Sequence, residues 1–207
     1  MAYLVLVRHG QSTWNALGKW TGQTEVELTP KGREEARAAA MTLEGITFDA
    51  AHLSNHDRAQ VTLQIILEEL HQTDIEAHKT AALNERDYGE LTGKNKWQAR
   101  DEYGEEQFAK WRRGWDEPVP GGETLKDVHD RAVPYYEQHI LADLKAGKNV
   151  IVSAHGNTLR ALVKYIEDMA EDEVSGLEIG TGEVYVYDID PKGQIIAKDI
   201  KISGGKA

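Results

Sequence analysis

Short runs of consecutive apolar residues alternate along the chain with stretches in which apolar positions recur every three or four residues. The run Tyr3 to Val7 (Tyr-Leu-Val-Leu-Val) has the pattern of a strand buried on both faces. Thr29 then offers an N-cap with Pro30 at the first helical position, and Ala36, Ala39, Ala40 and Leu43 follow at helical spacing. A strand near Asp49 to Leu53 leads into a second helix with Ala59, Leu63, Ile66, Leu67 and Leu70 on one face, and a further strand is expected around Ile75 to Lys79. From Ala82 to Gly122 the periodicity loosens into charged and aromatic residues, including Trp97, Trp111 and Trp115, as expected of an insertion carrying short helices. A long helix is predicted from Thr124 to about Lys145, with Leu125, Val128, Ala132 and Ile140 inward. Val150-Ile151-Val152 marks another buried strand, and a helix follows from Asn157 with Leu159, Leu162, Val163, Ile166 and Met169 on one face. The end reads as a hairpin, Val184 to Asp188 and Gln194 to Ile200, about a turn at Pro191-Lys192-Gly193.

This alternation predicts an α/β fold: a three-layer sandwich with a mostly parallel sheet, helices on both faces, an antiparallel edge strand from the final hairpin, and an inserted helical lid over roughly 82–122. No repeat or linker divides the chain, so a single domain over 1–207 is expected. With 40% apolar and 29% charged residues, disorder is excluded. Lys and Arg number 24 against 35 Asp and Glu, and the net charge of −11 argues against a nucleic-acid or anionic-membrane partner. Cysteine is absent, which removes disulfides, thiolate metal sites and a cysteine nucleophile. The apolar runs fall far short of the roughly 20 residues of a bilayer span, and Arg8 interrupts the only early candidate for a leader, so a cytoplasmic location is expected.

Two short segments look alike. Arg8-His9-Gly10 follows the first buried strand, and Ala154-His155-Gly156 follows the strand ending near Ser153. If those strands lie parallel in one sheet, both histidines emerge at its carboxyl edge, where open α/β sheets place ligands. The glycines would let backbone approach a ligand, and Asn157 opens a helix whose unpaired N–H groups favour an anion. Arg58 starts the second helix, a poor place for a cation on dipole grounds. Taken alone it is an ordinary pair with Asp57; beside Arg8, His9 and His155 it looks like one arm of a phosphate clamp.

Arg8-His9-Gly10-Gln11-Ser12-Thr13-Trp14-Asn15, Thr21-Gly22, Leu83-Asn84-Glu85-Arg86-Asp87-Tyr88-Gly89, Trp111-Arg112-Arg113-Gly114 and Ala154-His155-Gly156-Asn157-Thr158-Leu159-Arg160-Ala161 resemble the histidine phosphatase superfamily. Within it the chain resembles the 2,3-bisphosphoglycerate-dependent phosphoglycerate mutases, from about Tyr3 to Tyr187. The resemblance implies interconversion of 2-phosphoglycerate and 3-phosphoglycerate, primed by 2,3-bisphosphoglycerate and needing no metal. It implies His9 as the nucleophile, Glu85 as the proton donor and acceptor, and Arg8, Arg58 and His155 as the charges that steady the phosphoryl group. Substrate contacts are implied for Ser12, Asn15, Thr21, Gly22, Arg86, Tyr88, Lys96, Arg112, Arg113, Gly156 and Asn157. Trp111 and Trp115 are expected to pack beneath the lid. The partner is then a small phosphoglycerate, and a homo-oligomer is compatible with the chain. A phosphatase of small phosphomonoesters on the same fold is the alternative; an idle anion-binding scaffold would need a lost nucleophile or acid. The chain departs from the family's pattern at Gln23 and at His56-Asp57, where an aspartate would set a negative charge beside the pocket unless it points away.

Overall fold

The computed structural model describes residues 1–202, so positions 203–207 of the expected domain lie outside the described residues. β1 (Ala2–Arg8), β2 (Ala50–Ser54), β3 (Glu76–Thr80), β4 (Val150–Ala154), β5 (Glu183–Ile189) and β6 (Ile195–Ile202) form one sheet in the order β3-β2-β4-β1-β5-β6. The first four are mutually parallel, whereas β5 runs antiparallel to β1 and β6 antiparallel to β5. The closing hairpin therefore contributes two antiparallel strands, one paired to the sheet's centre and one at its edge.

The two-residue period of a strand divides the core. Val5 and Val7 face one side, where they meet Ala39, Ala40, Leu43, Leu63 and Ile66. After a short α1 (Thr13–Ala16), these helical residues come from α2 (Pro30–Thr42) with Leu43 at its C-cap, and from α3 (Asp57–Glu69). Leu4 and Leu6 face the other side, against Ala132, Ile140, Leu159 and Leu162. Tyr3, expected within the buried run, is 39% exposed at the start of β1. Thr29 caps α2 by accepting from Gly32 N at 3.0 Å, with Pro30 at the first position where no donor is missed.

The helix predicted from Thr124 onward is interrupted. α6 (Leu125–Tyr135) contains Pro134, widens into a π-helical turn over Tyr136–Ile140, and resumes as α7 (Leu141–Lys145). Pro134 has no N–H for the carbonyl four residues back, and a π turn is one way a helix accommodates such a break. α8 (Gly156–Ile166) starts one residue earlier than expected and ends before Met169, which packs on the same core from beyond it. A short α9 (Glu171–Gly176) was not anticipated; three acids in its first turn suit the positive end of a helix.

Residues between β3 and α6 form two 3-10 turns, Ala81–Leu83 and Gly89–Leu91, then α4 (Lys96–Tyr103) and α5 (Glu105–Arg113). This insertion packs Tyr88, Leu91, Phe108, Trp111 and Val119 around Trp20, which comes from the segment between α1 and α2. Trp111 is thus packing, and Trp115 packs against the neighbouring cluster of Leu125, Val128, Ala161 and Val174. Among the described residues no helix is long and apolar enough to cross a membrane.

Candidate active site

β1 and β4 are adjacent and in register, with Arg8 opposite Ala154. The two His-Gly turns therefore leave the sheet side by side, and the His9 and His155 rings meet edge to face with centroids 5.0 Å apart. His9 is held on both flanks. Its Nδ1 donates to the Gly10 carbonyl at 2.7 Å, while Gly10 N donates to Thr62 Oγ1 on α3 and Gln11 N to the buried Glu35 carboxylate on α2. With the proton on Nδ1, the Nε2 lone pair is left free. Burial, with Arg58 and Arg8 nearby, holds the His9 pKa well below the usual histidine value.

His155 is fixed by a different partner. Ser54 Oγ gives its hydrogen to Asn84 Oδ1, so toward His155 Nε2, 2.8 Å away, it accepts. His155 Nδ1 then carries a lone pair, is buried, and has no partner in the protein. Burial first, then Arg58 and His9, keeps this imidazole neutral, with its pKa well below the ordinary value.

Arg58 does not pair with Asp57, which is exposed and is not part of the cleft lining. It is 1% exposed and bonds the carbonyls of Thr24 (2.9 Å) and Gly22 (2.8 Å). Arg8 likewise bonds the Ile179 carbonyl. Neutral carbonyls orient both guanidiniums without cancelling their charge, and each keeps a buried Nε with no partner. His56 packs edge to face on His155, with ring centroids 5.2 Å apart, and its Nδ1 meets Glu25 Oε1 at 2.7 Å. Glu25 also accepts from Asp57 N, so the first turn of α3 receives an acid from outside rather than from its own cap.

One cleft is lined by Arg8, His9, Asn15, Thr21, Gly22, Arg58, Glu85, Tyr88, Lys96, Arg112, Arg113, Gly156 and Asn157. Glu85 Oε1 accepts from Arg86 N (2.9 Å), Asn157 N (3.3 Å) and Asn157 Nδ2 (3.2 Å), which seats it at the start of α8. Arg131, which the sequence reading passed over, steadies this loop from α6 by donating to the carbonyls of Asn84 (2.9 Å) and Glu85 (3.2 Å). Lys96, half-buried and near Arg8 and Arg112, has its pKa pushed down to about 8, chiefly by burial.

Two expected contacts are elsewhere. Ser12 caps α1: its Oγ accepts from Asn15 N and its own N–H donates to Asn15 Oδ1. Arg86 is fully buried and donates to the carbonyls of Trp111, Glu117 and Glu123, bracing the insertion from within. Gly10 also serves packing rather than ligand approach, since a Cβ there would lie 2.0 Å from the Gly32 carbonyl oxygen. A Cβ on Gly156 would come no closer than 3.5 Å to Arg8. The cleft has further walls not singled out before: Trp20, Arg160, Glu178 and Ile179. Arg160 was legible only as a cation three residues after Asn157 on α8; it is 2% exposed and donates to Asn157 Oδ1 at 3.0 Å.

Residues 4–199 match the family model of the histidine phosphatase superfamily (branch 1). The chain belongs to the histidine phosphatase superfamily. It is 48% identical over 201 residues to the 2,3-bisphosphoglycerate-dependent phosphoglycerate mutase of Parvibaculum lavamentivorans, covering 96% of each chain. It is 47% identical over 197 residues to the protein of the same name from Rhodopseudomonas palustris, covering 94% of this chain and 95% of that one. Among solved structures, a mycobacterial glucosyl-3-phosphoglycerate phosphatase in complex with VO3 superposes with a TM-score of 0.83 at 22% identity, covering 98% of both chains, which speaks for the fold.

Proposed function

We propose that the protein interconverts 2-phosphoglycerate and 3-phosphoglycerate through a phosphorylated His9. The observation that carries this reading is the placement of Lys96, Arg112 and Arg113, all from the insertion, on the same cleft as His9 and Glu85. A phosphatase needs one anion clamp. A second cationic group beyond it suits a substrate with a carboxylate as well as a phosphate. The names of relatives nearly half identical over almost the whole chain support it.

His9 Nε2, unprotonated because Nδ1 is committed to Gly10, attacks phosphorus and forms the P–N bond as the ester P–O bond breaks. Arg8 and Arg58 face the equatorial oxygens with the Nε donors that the protein leaves unpaired. His155 starts neutral; a phosphoryl dianion beside it raises its affinity for a proton, and a protonated Nδ1 becomes a further donor. Glu85, whose three accepted bonds fall on Oε1, protonates the leaving oxygen through Oε2 and takes the proton back from the hydroxyl that attacks next. Lys96, Arg112 and Arg113 hold the carboxylate while the substrate, now phosphorylated at both hydroxyls, turns to present its original phosphate to His9. The insertion carrying them acts as a lid that keeps water from the phosphohistidine.

Those unpaired donors around His9 also fit a phosphoryl donor with two phosphates and a carboxylate. 2,3-Bisphosphoglycerate, when bound there, supplies the phosphoryl group that primes His9. The test is a product assay on 3-phosphoglycerate with and without catalytic 2,3-bisphosphoglycerate. The mutase reading predicts donor-dependent 2-phosphoglycerate with little inorganic phosphate. Inorganic phosphate as the main product overturns it in favour of a phosphatase.

A further inference from the structure

Two carboxylates line the cleft. Glu85 sits beside the start of α8; the other, Glu178, lies on the segment between α9 and β5. Its Oε1 is 2.5 Å from Arg113 Nη2 and 3.7 Å from Arg112 Nη2. No other acid pairs with either arginine among the described residues. The two arginines are mostly covered, with side chains 33% and 27% exposed, whereas that of Glu178 is 67% exposed. The next residue, Ile179, gives its carbonyl to Arg8, so this acid is tied to the phosphate clamp through one peptide unit.

A carboxylate already sits on the pair that the proposed reaction gives to the substrate's carboxylate. Two carboxylates crowded on the same Nη2 atoms would repel, so one must leave. Glu178 is built to do so: its outer atoms are in water and its side chain has three rotatable bonds. Exposed ion pairs are weak enough to exchange.

We infer that Glu178 is a specificity-determining residue, an internal carboxylate that occupies Arg112 and Arg113 until the carboxylate of the substrate displaces it. This rests on the mutase reading for the identity of the displacing group. A ligand with phosphate but no carboxylate leaves Glu178 where it is and gains nothing from the two arginines. A ligand with both groups exchanges one carboxylate for another, so its affinity is held below what the arginines alone would give. The residue thereby grades ligands by their second anionic group and weakens the hold on product.

The test compares two ligands that differ only there, 3-phosphoglycerate and glycerol 3-phosphate, by calorimetric binding to the wild-type protein and to Glu178→Gln. Glu178 is exposed to water, so removing its carboxylate should tighten 3-phosphoglycerate roughly two- to fivefold relative to glycerol 3-phosphate. Glu178→Ala, which also lacks an amide to bond Arg113, should show the same split. If Glu178 merely held α5 in place, both substitutions would weaken 3-phosphoglycerate instead. An unchanged ratio, including equal tightening of both ligands, or a ratio moving toward glycerol 3-phosphate, overturns the inference. The ratio is read without turnover, so it is independent of whether the product assay yields isomer or inorganic phosphate.

Discussion

Replacing Arg86 by Met separates a brace from a substrate contact. The guanidinium is wholly buried and donates to Trp111 O at 2.9 Å, Glu117 O at 3.4 Å and the Glu123 carbonyl. Two of these bonds are short and one is long. Hydrogen bonds to a charged donor contribute about 1.5–3 kcal/mol each, and carbonyls left dry and unpaired add to the loss. Relief of the buried cation offsets part of it, since burial is the largest influence lowering the Arg86 pKa. The net expectation is a loss of about 3 kcal/mol, a large share of the roughly 5–15 kcal/mol that holds a domain folded. In a chain of 207 residues that corresponds to a fall in Tm of roughly 6–12 °C. Urea unfolding and a thermal scan of Arg86→Met, with KM measured at low temperature where the variant is folded, make the check. A stability within about 0.5 kcal/mol of wild type, together with a raised KM, would refute the reasoning and put Arg86 on the substrate.

Gly32→Ala should cut kcat about 100-fold while leaving the circular dichroism spectrum native: its Cβ would fall 2.1 Å from the Gln11 carbonyl oxygen, against 3.4 Å for ordinary contact, and the shift of more than 1 Å moves the turn that holds His9. A kcat within threefold of wild type would contradict this. Lys96, with its pKa near 8, loses its charge as pH rises through that value, so affinity for 3-phosphoglycerate should fall on the alkaline side; Lys96→Met should bind about tenfold more weakly at pH 7 and show no such step. An alkaline step that persists in the variant assigns it to another group. His9 and His155 are both pushed well below the ordinary histidine range, so below about pH 6.5 the unfolded chain takes up protons that the folded chain refuses. Stability should therefore decline as pH falls from 7 to 5.5, more gently in His155→Gln by up to about 1.4 kcal/mol per pH unit, as read from urea midpoints. An identical slope in the two proteins would refute the assignment.

The layers of the fold were legible because buried strands and one-sided helices write different periods. Leu4 to Val7 reads as a two-faced strand, and each alternate pair meets its own helical layer. The break after Pro134 was also written in the sequence, since proline has no N–H to give, yet the apolar spacing from Leu125 to Ile140 continues across it. Arg8, His9 and Arg58 could be placed at the cleft, and His155 directly behind His9, because strand ends and helix starts share one edge of a parallel sheet. Arg86 and Arg112 lie in one charged insertion and look alike as letters. Only packing tells that Arg86 turns inward to backbone carbonyls while Arg112 faces the cleft. The same limit hid Arg131 and Glu178. Each acts on residues more than 40 positions away, at separations that no local pattern encodes.

The central claim is that His9 Nε2 carries the phosphoryl group, and it can be read directly. The protein is treated with 2,3-bisphosphoglycerate, and the modified residue is then located by phosphorus NMR and by mass spectrometry of peptides kept at alkaline pH. The account predicts one acid-labile, alkali-stable phosphoryl group on Nε2 of His9, discharged by 3-phosphoglycerate and absent from His9→Ala, which should also lose turnover. A phosphoryl group on any other residue, or turnover that survives in His9→Ala, would contradict it.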